Sequence, residues 1–128
     1  MGRIISPVTI TNAADPSKSI HCDALVDTGA AHMVLPTAWK DRLGDLELLE
    51  TVQVETATQE TVPGELRGPV RIQLEGFRAT FSVALFIEMH PAAHGYEPLI
   101  GYIVLEQAQI AVDMVGHRLI QAGKVDLK

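Results

Sequence analysis

The chain has a single cysteine, so no disulfide can form within it, and it does not read as a secreted domain held together by cross-links. Aromatic residues make up only 5% of a sequence that is 47% hydrophobic, which leaves Val, Ile, Leu and Ala to build the core, as in small β-rich domains. Lys and Arg number 10 against 16 Asp and Glu, for a net charge of -6, and form no cluster to neutralise phosphates, which argues against a nucleic-acid partner; none is expected. No apolar run approaches the length that spans a bilayer and no signal-peptide pattern opens the chain, so no membrane partner and a cytoplasmic location are expected. Met1-Gly2-Arg3-Ile4-Ile5-Ser6 fits the short N-myristoylation pattern, as many chance sequences do, and reads instead as the approach to a first strand.

With 128 residues the chain fits one domain over 1–128, and seven prolines and ten glycines imply many turns. Arg3 to Thr11 alternates and ends in the loop Asn12 to Ser17; Ser19 to Val26 is a second strand. Met33-Val34-Leu35 is a short buried strand stopped by Pro36, after which Thr37 is expected to cap a helix over Ala38–Leu43, closed by Gly44, with Trp39 in the core. Thr51 to Ala57 and Glu60 to Val62 form a hairpin, bent at Pro63-Gly64. Val70 to Leu74 and Phe77 to Ile87 share a period of two across the turn Glu75-Gly76, predicting two paired strands. A loop over Glu88 to Pro98 leads to Leu99-Ile100-Gly101, a helix from Tyr102 to Ala108, and strands over Ile110–Asp113 and Arg118–Gln121. Many short strands with one or two short helices predict an all-β barrel.

One stretch stands apart, Cys22-Asp23-Ala24-Leu25-Val26-Asp27-Thr28-Gly29-Ala30-Ala31. An apolar strand delivers an aspartate to a turn, where a carboxylate held against apolar neighbours is destabilised unless it is hydrogen-bonded or shares its charge. Asp27-Thr28-Gly29-Ala30 after such a strand resembles the active-site signature of the retropepsin-type aspartic proteases, and Leu99-Ile100-Gly101 ahead of a helix resembles the second signature of that group. Cys22 beside it reads as a small buried hydrophobe, not a reactive thiol.

The resemblance covers Ile4 to about Ile120 and implies a small closed β-barrel of the retropepsin type, acting on a peptide or protein substrate with no cofactor and no metal. Two carboxylates are needed, one ionised to take a proton from water and one protonated to donate. The chain has one motif, and Asp113, the nearest second candidate, has neither hydroxyl nor glycine beside it; the expectation is a homodimer with one Asp27 from each copy. By the same resemblance Thr28 would bond across the two-fold axis and Gly29 would turn its N–H toward the carboxylate. The hairpin Val54 to Val62, with Thr56, Ala57 and Thr58, would be the flap; Leu25 and Leu99 would line the inner pockets, and Ala30, Ala31 and His32 would follow outward.

Several departures are visible. Retroviral flaps are glycine-rich and this hairpin is polar; aspartates stand in those proteases where this chain has Ala31 and His32; and Tyr102 replaces the arginine that follows their second glycine, its usual partner being absent at Ala31. The helix must then be held by apolar packing. The polar hairpin and altered outer pockets leave a second reading open, a dimeric peptide-binding or assembly module with the same barrel and little turnover, and an unrelated acidic β-domain is a third. His90 and His94 lack a further ligand type beyond Glu88 and Glu97 and read as loop residues; His21 and His117 read as surface.

Ala30 stands where pepsin has serine, and the missing hydroxyl removes a donor that favours ionised carboxylates. Ala30→Ser is therefore expected to move the acidic limb of the pH–rate profile to lower pH; a limb that stays put or moves up refutes the reasoning.

Overall fold

The computed structural model describes residues 3–56 and 58–122. Six strands close into a barrel: β1 (Ile5–Asn12), β2 (Ser19–Val26), β7 (Leu99–Ile100), β3 (Met33–Pro36), β6 (Thr80–Ile87) and β5 (Thr61–Leu74), in that spatial order, with β5 returning to pair with β1. β4 (Glu47–Glu55) lies outside the ring, pairing with the first part of β5, from Thr61 to Gly68, on the edge away from β6 that β1 takes further along. A helix, α1 (Tyr102–Ala108), and a separate hairpin, β8 (Ile110–Asp113) with β9 (Arg118–Gln121), follow β7 among the described residues. No helix among the described residues is long and apolar enough to cross a membrane.

Alternation writes β1 and β2 into the wall. Val8 and Ile10 face inward from β1, Ile20 and Ala24 from β2, and the two pair antiparallel from Ile5↔Leu25 to Thr11↔Ser19. Phe86, Met33, Leu35, Ile72, Leu74, Ile100 and Val104 fill the rest of a core in which most side chains are wholly shut off from solvent. Cys22 packs against this core, and burial, reinforced by the charge of Asp23, pushes its thiol from 9.0 up to about 11. The folded-state value lies above the unfolded one, so this contribution to stability is complete below about pH 9 and is lost as pH rises through about 11.

The departures from expectation have identifiable causes. Pro63-Gly64 does not bend the chain: Pro63 sits exposed within β5 opposite Gln53, and Gly64 is a close-approach residue. A Cβ there would stand 2.9 Å from Leu85 and 3.2 Å from Val54. The segments expected as two strands are thus one of 14 residues, deflected by a bulge between Arg67 and Val70, where Gly68-Pro69 is cis. β4 begins at Glu47 instead of Thr51, and β6 at Thr80 instead of Phe77; Phe81 is exposed while Ala84, Leu85 and Phe86 are buried in succession, so β6 is apolar on both faces. The expected helix after Pro36 is a 3₁₀ turn over Thr37–Leu43 without a side-chain cap, so Thr37 does not cap it; Gly44 closes it with φ 68°. Trp39 is half-buried, edge-on to Tyr96 at 5.8 Å with the Arg42 guanidinium over its ring.

Two polar clasps tie the barrel. Arg67 and Lys40 both bind the Glu65 carboxylate, at 2.9 and 3.3 Å, and hold it below the usual carboxylate range, the Arg67 bond contributing most. Asn12 is buried in the core, yet satisfied on every side. Its amide donates to the carbonyls of Leu43 (2.8 Å) and Asp45 (2.9 Å), and its Oδ1 accepts from the N–H groups of Ala14 and Asp15. Asn12→Ala leaves four backbone groups to find other partners, and is expected to cost about 3 kcal/mol. Chemical denaturation checks this; an unchanged midpoint would show that these bonds are replaced by water.

Candidate active site

Asp27 follows the last residue of β2 and is held by its own backbone on both sides. Its N–H donates to the carbonyl of Ile100 at 3.0 Å and its carbonyl accepts from Ala30 N–H at 3.1 Å. The Oδ1 of its carboxylate accepts from Gly29 N–H at 2.9 Å. A Cβ at position 29 would stand 3.2 Å from that oxygen, so glycine leaves room for the carboxylate to turn back on the loop.

The two motifs meet because β7 inserts between β2 and β3, parallel to β2 (Leu25↔Leu99, Val26↔Ile100) and antiparallel to β3 (Val34↔Leu99). The first amides of α1 then complete the loop: Tyr102 N–H donates to the carbonyl of Ala30 and Ile103 N–H to that of Ala31, both at 2.9 Å. A helix start has N–H groups without intrahelical partners, and a tight loop has carbonyls without ladder partners; here each satisfies the other. Gly101 makes the junction possible. A Cβ at that position would overlap the backbone carbonyls of Ala31 and His32. The helix is anchored by Val104, Leu105 and Ala108, all buried, while Tyr102 is 43% exposed, which gives the apolar packing expected in place of an arginine–aspartate pair.

Beside Asp27 opens a cleft of about 530 Å³. Of the residues singled out from sequence, Asp27, Gly29, Ala30, Ala31, His32, Thr56 and Leu99 line it. Leu25 and Thr28 do not; they line a smaller cavity that also reaches Asp27. Thr58 lies exposed at the tip of the β4–β5 hairpin, where its hydroxyl meets that of Thr56 at 3.0 Å, and Ala57 lies outside the described residues, as do Met1, Gly2 and 123–128. The hairpin tip is closed by Gln59 N–H on the carbonyl of Thr56 and by Thr56 N–H on that of Glu60, with Gln59 in the left-handed region at φ 66°.

Val54 and Glu55, at the start of the hairpin expected to be the flap, line the cleft too; sequence reasoning missed Val34, Leu85 and Ile87, which complete its lining. The signal was present in Val83-Ala84-Leu85-Phe86-Ile87, five apolar residues in a row: a strand apolar on both faces needs a second cover beyond the barrel core. That cover is a distinct cluster of Val34, Leu66 and Leu85 with Val52, Val54 and Ile87, joining the β4–β5 hairpin to the cleft. Among the polar lining groups, the His32 ring has Nδ1 buried without a partner among the described residues. A buried unpaired N–H costs about 1–3 kcal/mol, which favours the tautomer with its proton on Nε2. His21 is exposed and bonded to the Thr9 hydroxyl, His117 is exposed and donates to the carbonyl of Arg3, and His94 lies 3.9 Å from Glu97.

Residues 7–103 match a family described as aspartyl protease. No curated protein matches the chain in sequence. Among solved structures, the chain is similar to the EIAV protease complexed with the inhibitor HBY-793, at 23% identity and a TM-score of 0.59, over 82% of this chain and 86% of that one. The shared architecture is the retropepsin fold.

The Gly101 contact makes a sharp prediction. Gly101→Ala forces backbone away from backbone with no rotamer to relieve it, and is expected to cost about 3 kcal/mol or more. Thermal unfolding of the variant checks it, and an unchanged Tm would mean that the junction yields without cost.

Proposed function

Because the chain belongs to the aspartyl protease family, we propose that it is an aspartic endopeptidase, working as a homodimer whose two Asp27 carboxylates share one proton. The observation that carries this reading is the Asp27 carboxylate itself, fixed by Gly29 N–H at the edge of an apolar cleft that a hairpin borders.

Two carboxylates brought face to face cannot both be ionised, so one holds a proton at a pH where a lone carboxylate would have lost it. The ionised partner takes a proton from water as its oxygen attacks the peptide carbonyl carbon, and the protonated partner gives its proton to the carbonyl oxygen. The tetrahedral intermediate then collapses: the Asp27 that took a proton from water gives it to the nitrogen, the C–N bond breaks, one hydroxyl of the gem-diol returns its proton to the other Asp27, and a carboxylic acid and an amine are released with the dyad again sharing one proton. No covalent enzyme intermediate is required.

Thr28, exposed next to Asp27, is placed to bond across the two-fold axis and hold the two loops in register. The hairpin from Val54 to Val62 is the closing element. Val54, Glu55 and Thr56 already line the cleft, and their approach to a bound peptide excludes water and fixes its position. Ala30, Leu85, Ile87 and Leu99 give apolar pocket walls, so bonds flanked by apolar side chains are the expected substrates. Leu25 belongs to the wall that the second copy completes.

The test is digestion of a diverse peptide mixture by wild type and Asp27→Asn, read by mass spectrometry from acid to neutral pH. Cleavage at apolar-flanked bonds is expected from wild type and a loss of at least about a thousandfold from the variant. A folded, dimeric wild type that cuts nothing would replace this reading with that of a peptide-binding module.

A further inference from the structure

Resting on the protease reading above, we propose that His32 is a specificity residue that gives the cleft a preference for peptides carrying an aspartate or glutamate side chain near the apolar-flanked bond. The residue stands one position before β3, and alternation along that strand sets the side to which its ring belongs. Met33 and Leu35 fill the barrel core while Val34 belongs to the cluster that faces the hairpin, so His32 falls on the Val34 side. Its backbone is fixed there. The carbonyl of Ala31 accepts from Ile103 N–H, and the backbone of Gly101 presses on the carbonyl of His32. A ring on so rigid a support needs little ordering when a ligand arrives.

What surrounds the ring points to the ligand. Val34, Leu85, Ile87 and Leu99 make the cleft largely apolar. The imidazole is half-buried, with Nδ1 shut off from solvent and unpartnered among the described residues. An N–H there goes unsatisfied, so the proton belongs on Nε2, and Nε2–H is the donor left for a ligand. No lysine or arginine is among the described residues that line the cleft, and the Thr56 hydroxyl is engaged with Thr58 at 3.0 Å. Once peptide and hairpin exclude water, a hydrogen bond to an ionised acceptor is roughly twice as strong as one to a neutral amide. A carboxylate side chain is the ionised acceptor that a peptide can bring. The other titratable groups on the cleft are Asp27, whose carboxylate accepts from Gly29 N–H, and Glu55, exposed at the end of β4. Both disfavour an acid, as does the net charge of -6, so a preference for acidic peptides has no source in this cleft other than His32.

The experiment uses synthetic peptides with one apolar-flanked bond, in which Glu, Gln or Lys is placed in turn at the second and third residues on either side. At about pH 6, where peptide carboxylates are ionised, kcat/KM is measured for wild type, His32→Leu, His32→Asp and Glu50→Gln. Glu50 is exposed on β4 and does not line the cleft, so its variant reports the effect of overall charge alone. Wild type is expected to favour Glu over Gln by about tenfold at one or more positions, and His32→Leu to bring that ratio to about one. His32→Asp is expected to favour Lys instead, and Glu50→Gln to keep the wild-type ratio. Damage to packing lowers the rates for all peptides together and leaves the ratio as it was. Tm shows which variants are folded, and His32→Leu decides by itself where His32→Asp does not fold. Calorimetric titration of the same peptides into Asp27→Asn, with and without His32→Leu, reads binding apart from turnover. A wild type that cuts peptides with no preference for Glu, or with one that survives in His32→Leu, overturns the inference and leaves the protease reading intact. A wild type that cuts nothing, while Asp27→Asn binds the Glu peptides only with His32 present, upholds the inference and sinks the protease reading. Neither cleavage nor binding of any peptide overturns both.

Discussion

The close approach of Gly101 to Ala31 and His32 is the contact on which the rest of the site depends. It lets β7 lie between β2 and β3 and brings the start of α1 against the loop that carries Asp27. Backbone polar groups in a loop this tight must find partners away from water, and the unpaired amides of a helix start supply them. One glycine thus allows a distant segment to complete the hydrogen bonding of the loop that carries Asp27. The carboxylate is held by geometry that side chains need not provide.

Around that junction the apolar residues divide into two bodies. The larger fills the barrel; the smaller, centred on Val34, Leu66 and Leu85, lies between the barrel wall and the β4–β5 hairpin. β6 serves both, with Ala84 and Phe86 in the first and Leu85 in the second. Gly64 belongs to the same arrangement, since the absence of a side chain there lets β5 press against Leu85 and Val54. Cleft and core are therefore opposite faces of one sheet, and a change in packing on one side is transmitted to the other.

The differences from the retroviral proteases fall together. Tyr102 is exposed where they have an arginine, Ala31 stands where its partner would be, and α1 is held by buried Val104, Leu105 and Ala108. An ion pair has been exchanged for apolar packing, a substitution that avoids the cost of desolvating two charges. His32 in the same outer region lines the cleft with a ring, its Nδ1 buried without a partner among the described residues, where those proteases have a carboxylate.

The sequence by itself determined the class and the order of elements. Alternation gave β1 and β2; the spans Tyr102–Ala108, Ile110–Asp113 and Arg118–Gln121 were legible from period and punctuation; and the two glycine motifs pointed to the family. Local signals suffice there because each of those elements is fixed by its own neighbours in sequence. Tertiary structure decided what depends on segments far apart in the chain. Pro63-Gly64 read as a bend because proline and glycine usually mark turns, yet the glycine is there for Leu85 and Val54, more than ten residues away or on another strand. Asn12 read as a loop residue and proved to be a buried clasp on Leu43 and Asp45. The cleft walls at Leu85 and Ile87, and the separation of Leu25 from that cleft, follow from how the strands close into a barrel. Period reports only that a face is buried; what buries it is set by packing in three dimensions.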